Sequence, residues 1–270
     1  MLGDRIRTYL EEDGAGWRDV NNAIVAGHEA GARVVTREPG TVAGVDEALA
    51  VFAELGPSAR PLVDDGDGVD SGDRLLEVEG DAAALLRGER LALNLLGSMS
   101  GIATMTRRCV EQVPEGVRVT CTRKTTPGYR YFEKKAVLVG GGDPQRFDLA
   151  DSVLLKENHF AILGMETAIE RARRRGSFST TVSAEAESLA EAERAVAAGV
   201  DIVLLDNMSP RELESVVDAL GDENVILEAS GGITPESVAD YAATGVDVVG
   251  MGSLTHSSNW LDLSMLVDDG

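Results

Sequence analysis

The sequence predicts an α/β protein in two parts: a mixed α+β unit over roughly the first hundred residues, then an incomplete (open) parallel β/α barrel. Three observations predict it. From residue 117 onward, Val/Ile/Leu-rich strands alternate with helical segments, the pattern of a parallel sheet with crossover helices. Polar residues recur at the C-terminal ends of those strands, where barrel active sites lie. Six such strands can be counted, too few to close a complete barrel. A doubly wound open sheet is the alternative topology.

The elements follow in order. "GDRIRTYLEED" has helical spacing, and "GARVVTREPGTVAG" reads as short strands joined by turns. "VDEALAVFAELG" is helical, with Gly56 as its stop. "DGDGVDSGDRLLEVEGDAAALL" gives an acidic, turn-rich loop, a strand and the start of a helix. "GERLALNLLGSMSGIATMTRRCVEQV" is a long apolar helix whose Gly97, Ser98, Ser100 and Gly101 imply close packing against neighbours. Strands then fall in "VRVTCT", "DSVLLKENH", "FSTTVSAE", "DIVLLDN", "NVILEASGG" and "VDVVGMGS". Helices near 130–139, 164–175, 188–198, 210–220 and 235–243 lie between most of them. We expect a first domain at 1–101, a barrel domain at 102–257, and a tail at 258–270 that packs back on the first domain.

Composition narrows the function classes. No run of 18 apolar residues exists, so no membrane span is expected. The N-terminus "MLGDRIRTYLEEDG" has no apolar signal core, and Cys109 and Cys121 form no CxxC pair, which fits a cytoplasmic protein with reduced thiols. The net charge of −21 argues against nucleic-acid binding and predicts a solvated acidic surface of the halophilic type. Of 25 cationic residues only four are lysines: Lys124, Lys134, Lys135 and Lys156. A genome that prefers arginine codons explains their scarcity. It does not explain why all four fall between 124 and 156.

The strand ends carry the chemistry. "VLLKENH" offers Lys156, "TTVSAEAES" offers Glu185, and "IVLLDNMS" offers Asp206. A lone acid there is often a helix cap. For the helix after Asp206, Ser209 is the better cap, which leaves Asp206 for other work. Two acids on different strand ends can hold Mg²⁺ or bond ribose hydroxyls. "EASGGITPESV", with Ser230 and Gly231, and "VVGMGSLTHS", with Gly252, each put glycines between a strand and a helix. Bare backbone N–H groups on the last two βα loops suit a phosphate. A third glycine run, "VGGGDPQR", lacks the Walker lysine and the dinucleotide spacing. The three histidines, His28, His159 and His256, form no zinc or nucleophile-activating cluster. Arg123, Lys124, Arg146 and Lys156 come from three segments of an acidic chain and imply an anionic ligand. Each close charge pair contributes on the order of 4 kcal/mol before desolvation.

These motifs resemble the quinolinate phosphoribosyltransferase family. "REPGTVAG", "GERLALNLLGSMSGIAT", "TRKTTPGYR", "EKKAVLVGGG", "LLKENH", "LLDNMS", "EASGGIT" and "TGVDVVGMGSLTHS" occur in that family's order. The resemblance implies an N-terminal α+β sandwich domain, an open barrel, and a homodimer in which one chain completes the other's site. Assembly into hexamers stays open. It implies that Arg90 reaches into the partner's site and that Arg123, Arg146 and Lys156 bind the carboxylates of quinolinate. Lys124, Glu185 and Asp206 would face phosphoribosyl pyrophosphate and its Mg²⁺, and Ser230, Gly231 and Gly252 would hold the 5′-phosphate. The chain departs from the family pattern at Gln145, where His is usual, at "SAEA" (183–186), and at "GWRDVNN". Two rival readings remain: transfer to nicotinate or another small aromatic acid, and a non-catalytic paralogue that binds a phosphorylated ligand. Arg130, His159 and His256 carry no assignment.

Overall fold

In the computed structural model, residues 2–14 and 19–268 are described. Part of the "GWRDVNN" segment therefore lies outside the described residues. The chain separates into two compact units, Met1–Thr104 with Ser258–Gly270, and Met105–Ser257.

The first unit contains α1 (Leu2–Glu12), β1 (Glu29–Thr36), β2 (Gly40–Thr41), α2 (Val45–Leu55), β3 (Ser58–Pro61), β4 (Gly68–Val69), β5 (Arg74–Asp81) and most of α3 (Ala82–Val110). Its main sheet has four antiparallel strands: the C-terminal strand Leu263–Val267, then β1, β5 and β3. Val34, Leu75, Leu76 and Val78 from the sheet and Ala48, Val51 and Phe52 from α2 are almost wholly buried. Gly56 ends α2 at φ 110°, a left-handed conformation that favours glycine, and its N–H bonds the Phe52 carbonyl. The small residues of α3 make room for the tail. Leu261 donates its N–H to Gly97 O at 3.0 Å, and a Cβ on Gly101 would lie 2.9 Å from the carbonyl carbon of Asn259.

The second unit alternates strands and helices: β6 (Arg118–Thr120), α4 (Arg130–Val139), β7 (Val153–Leu155), α5 (Glu157–Leu163), α6 (Met165–Arg175), β8 (Val182–Ala186), α7 (Leu189–Ala197), β9 (Ile202–Asp206), α8 (Pro210–Leu220), β10 (Ile226–Ser230), α9 (Val238–Ala242), β11 (Val248–Gly250) and α10 (Ser253–His256). The six strands form one parallel sheet in the order β6-β11-β10-β9-β8-β7. The edge strands β6 and β7 do not pair, so the barrel is open there. A single parallel bridge, Thr120 to Asp143, extends the β6 edge. The register aligns Glu185 with Leu204, Leu204 with Glu228, and Asp206 with Ser230. Neighbours in register point to the same face, so these side chains share one side of the sheet. Val203, Leu205, Leu227, Ala229 and Val249 occupy the other and are buried. Among the described residues, no helix is long and apolar enough to cross a membrane.

Candidate active site

The loop from β6 to α4 holds Arg123 and Lys124. It is tightly turned: Lys124 N–H bonds Thr122 Oγ1 at 3.1 Å, and Thr125 N–H bonds the Arg123 carbonyl at 3.0 Å. Gly128, at φ 82°, lets the chain turn into α4. Lys124 is exposed, and its carbonyl accepts a 2.7 Å bond from Thr255 Oγ1 of α10. Arg130, left unassigned by the sequence, hydrogen-bonds two loops. Its Nε donates to Thr125 Oγ1 at 2.9 Å and its Nη1 to the Phe147 carbonyl at 3.3 Å.

The glycine run after α4 is a packing device. A Cβ on Gly142 would lie 2.7 Å from Thr106 Cγ2 and 2.9 Å from Val137 Cγ1. The close approach carries the chain to Asp143, beside β6, and then to Arg146. Arg146 donates through Nη1 to the Ser152 carbonyl at 3.3 Å. The Nε atoms of Arg123 and Arg146 are both buried without a hydrogen-bond partner. An unmet buried donor costs about 1–3 kcal/mol. Burial, and then the nearby Arg123 charge, pull the Arg146 pKa down. The two guanidinium groups repel one another and each leaves a buried donor unpaired.

Lys156 stands at the end of β7. It pairs with Glu185 at the end of β8, Nζ to Oε1 at 3.0 Å and to Oε2 at 2.9 Å. His159 acquires a role here: its Nδ1 accepts the Lys156 N–H at 3.0 Å and caps α5. Burial raises the Glu185 pKa first. Lys156 opposes that shift, and the neighbouring Asp206 carboxylate adds to it. Asp206 is tied down by Asn207, whose Nδ2 donates to Oδ2 at 2.7 Å. Among the described residues, no three acidic, His or Cys side chains gather into a metal cage. Glu185 and Asp206 are the two neighbouring carboxylates that would hold a divalent cation if one binds, and in this structure Lys156 and Asn207 engage them.

The last two βα loops meet. Ser253 Oγ donates to the Ile233 carbonyl at 3.3 Å, joining the loop after β10 to the one after β11. Asn207 adopts φ 56°, and its N–H bonds the Ser230 carbonyl at 2.9 Å. Gly231 packs against it at φ 96°; a Cβ there would lie 2.6 Å from Asn207 N. A Cβ on Gly252 would lie 3.2 Å from both Lys124 Cδ and His256 Nε2. The second unit thus brings together Lys124 with Gly252, Arg123 with Arg146, and Lys156 with Glu185 and Asp206. Asn207 and His256, whose Nδ1 lies 2.7 Å from Ser257 Oγ, join them without having been assigned a role; a left-handed Asn and a lone His give no sequence motif. Arg90 lies in the first unit, on α3, exposed and 3.9 Å from Glu89. It borders a cavity of about 450 Å³ lined also by Asp19, Asn22 and Arg87.

Comparison with known proteins agrees with this geometry. The model of the quinolinate phosphoribosyl transferase C-terminal domain matches residues 102–266, and that of the N-terminal domain matches residues 19–100. A probable nicotinate-nucleotide pyrophosphorylase [carboxylating] of Methanothermobacter thermautotrophicus is 46% identical, covering 97% of each chain. The nicotinate-nucleotide pyrophosphorylase [carboxylating] of Homo sapiens is 38% identical over 98% of this chain and 91% of its own. The crystal structure of NadC from Streptococcus pyogenes superposes with a TM-score of 0.91 at 39% identity, covering 98% of this chain and 96% of that one. The chain belongs to the quinolinate phosphoribosyltransferase family.

Proposed function

We propose that the chain transfers the phosphoribosyl group of phosphoribosyl pyrophosphate to quinolinate and releases CO₂, giving nicotinate mononucleotide for NAD biosynthesis. The observation that carries the di-acid is the pair of buried, unsatisfied Nε donors on Arg123 and Arg146. Lys156 is the third cation assigned to quinolinate, and the substrate would share it with its partner Glu185. A substrate with one carboxylate would leave part of this charge unmet.

The pyridine nitrogen attacks C1 of the ribose while the bond to pyrophosphate breaks. Positive charge develops on the sugar and negative charge on the leaving group. Lys124 offers its ammonium to the pyrophosphate. Ser230, Gly231 and Gly252 hold the 5′-phosphate, and Glu185 and Asp206 hold the ribose side. When bound to those two carboxylates, Mg²⁺ supplies further neutralisation of the pyrophosphate. Rate enhancement then comes from positioning and electrostatics. The ring nitrogen of the adduct is cationic. It stabilises the electron pair left at C2 when the 2-carboxylate departs as CO₂, and a proton from solvent completes the product. In this reading the enzyme is a cytoplasmic homodimer in which Arg90 of one chain completes the partner's site.

The test is substrate-resolved kinetics of Arg123→Ala and Arg146→Ala. Each should raise KM for quinolinate about tenfold or more, the scale of a lost charge-assisted bond. KM for phosphoribosyl pyrophosphate should stay within about twofold. An unchanged quinolinate KM in both variants would remove the arginines from the pocket.

A further inference from the structure

Lys134 is 1% exposed and Glu133, beside it on α4, is 3% exposed. Neither is expected in a helix interior unless paired. The Lys134 ammonium has three protons, and three acceptors meet it: the Pro144 carbonyl at 2.8 Å, the Gln145 carbonyl at 2.8 Å and Cys121 Sγ at 3.3 Å. The two carbonyls immediately precede Arg146, and Cys121 lies two residues before Arg123. The Glu133 carboxylate accepts the Thr126 N–H with both oxygens, at 3.2 and 3.1 Å. That bond closes the far side of the loop that carries Arg123. Arg130 lies on the same helix face, three and four residues earlier, and bonds both loops, at Thr125 and Phe147.

We propose that this face of α4 is a clasp that sets the two arginines of the di-acid pocket, with Lys134 as the positioning residue for quinolinate recognition. The inference rests on the reading of Arg123 and Arg146 as carboxylate ligands. Those guanidinium groups repel one another, so their approach must be held by the loops beneath them. Lys134 makes the shortest side-chain bonds to the Pro144–Gln145 segment and ties it to Cys121 at the end of β6, where Thr120 Oγ1 adds a longer bond of 3.5 Å to the Gln145 carbonyl. Burial of a cation is unfavourable, and it lowers the Lys134 pKa. An apolar residue would fill the same volume without that penalty, but it would remove the 2.8 Å donor of the Pro144 carbonyl and leave the Gln145 carbonyl only the longer bonds from Thr120 Oγ1 (3.5 Å) and Cys121 Sγ (3.9 Å). Other bonds keep the strand edge itself in place: Gln145 N–H to Asp143 Oδ1 at 2.9 Å, and Thr120 Oγ1 to the Asp143 carbonyl at 2.9 Å. Loss of Lys134 should therefore loosen Arg146 without dismantling the sheet.

The experiment is a kinetic double-mutant cycle. Lys134→Met should raise KM for quinolinate about tenfold, with KM for phosphoribosyl pyrophosphate within about twofold. In the Arg146→Ala background, Lys134→Met should have little further effect on the quinolinate KM, because the residue it positions is gone. A purely structural lysine would shift both KM values, or act additively with Arg146→Ala; either result overturns the inference. If Lys134→Met does not fold, Glu133→Gln decides, with a quinolinate KM about threefold higher expected and an unchanged one contradicting the clasp. Arg146→Ala alone separates the two readings. If it leaves the quinolinate KM unchanged, the pocket assignment fails. If it raises that KM while both clasp variants leave it unchanged, the clasp fails and the pocket stands.

Discussion

Glu228 shows what one buried side chain does to the pH response. It lies on β10, 8% exposed, on the same face of the sheet as Glu185. Gly250 on the next strand leaves it room; a Cβ there would lie 2.7 Å from Glu228 Oε1. Burial, reinforced by Asp143 and opposed by Lys156, pushes its pKa from 4.5 up to about 7. The folded chain therefore holds this proton more tightly than the unfolded chain, and stability is lost as pH rises from about 4.5 to about 7. Glu228→Gln removes that slope. In urea denaturation at pH 5 and pH 8, its stability relative to the native chain should improve by roughly 2–3 kcal/mol between the two. A pH-independent difference would contradict the assignment. At this scale the sequence revealed charged groups but not their partners. Lys124 and Lys156 stood out because lysines are scarce, and Arg123 and Arg146 because they accompany them in separate segments of an acidic chain. Lys134 was equally conspicuous, yet its bonds to two backbone carbonyls depend on a turn that brings residue 145 beside residue 121.

At the scale of elements, the βα rhythm was legible because the strands of the parallel sheet are largely buried and carry runs of Val, Ile, Leu and Ala, with the polar exceptions on one face. Ser209 and Glu212 form a capping box at the start of α8, which explains why Asp206 is not needed as a cap. Three strands escaped the reading, one of them the two-residue β4 inside what read as an acidic loop. β3 reads "SARP", with an Arg and a Pro in four residues, and is an edge strand that pairs with β5. The C-terminal strand pairs with β1, more than 220 residues away, so no local signal marks it. Glycine pairs read as phosphate loops have a geometric requirement at Gly231, which is left-handed and pressed against Asn207. Gly231→Ala should raise KM for phosphoribosyl pyrophosphate at least about fivefold, while the quinolinate KM changes less. Equal effects on both would mean that the loop serves the fold rather than the phosphate.

For the whole molecule, the formal charge of −21 sets the problem that the site solves. Two polyanionic substrates must bind a chain that repels them at long range. The four lysines are accordingly confined to 124–156, and Arg123, Lys124, Arg146 and Lys156 lie in loops and strand ends of the second unit. The proposed sharing of sites between subunits gives a direct test. Arg90→Ala and Lys124→Ala, each inactive alone, should regain activity when mixed and allowed to exchange subunits. Continued inactivity after exchange has been verified would place Arg90 outside the partner's site. The central claim, a decarboxylating phosphoribosyl transfer, is tested most directly by turnover. Purified protein with phosphoribosyl pyrophosphate, Mg²⁺ and quinolinate should release pyrophosphate, nicotinate mononucleotide and CO₂ in equal amounts, across low and high salt. Absence of quinolinate turnover in every salt, or transfer to nicotinate without CO₂ from quinolinate, would contradict it.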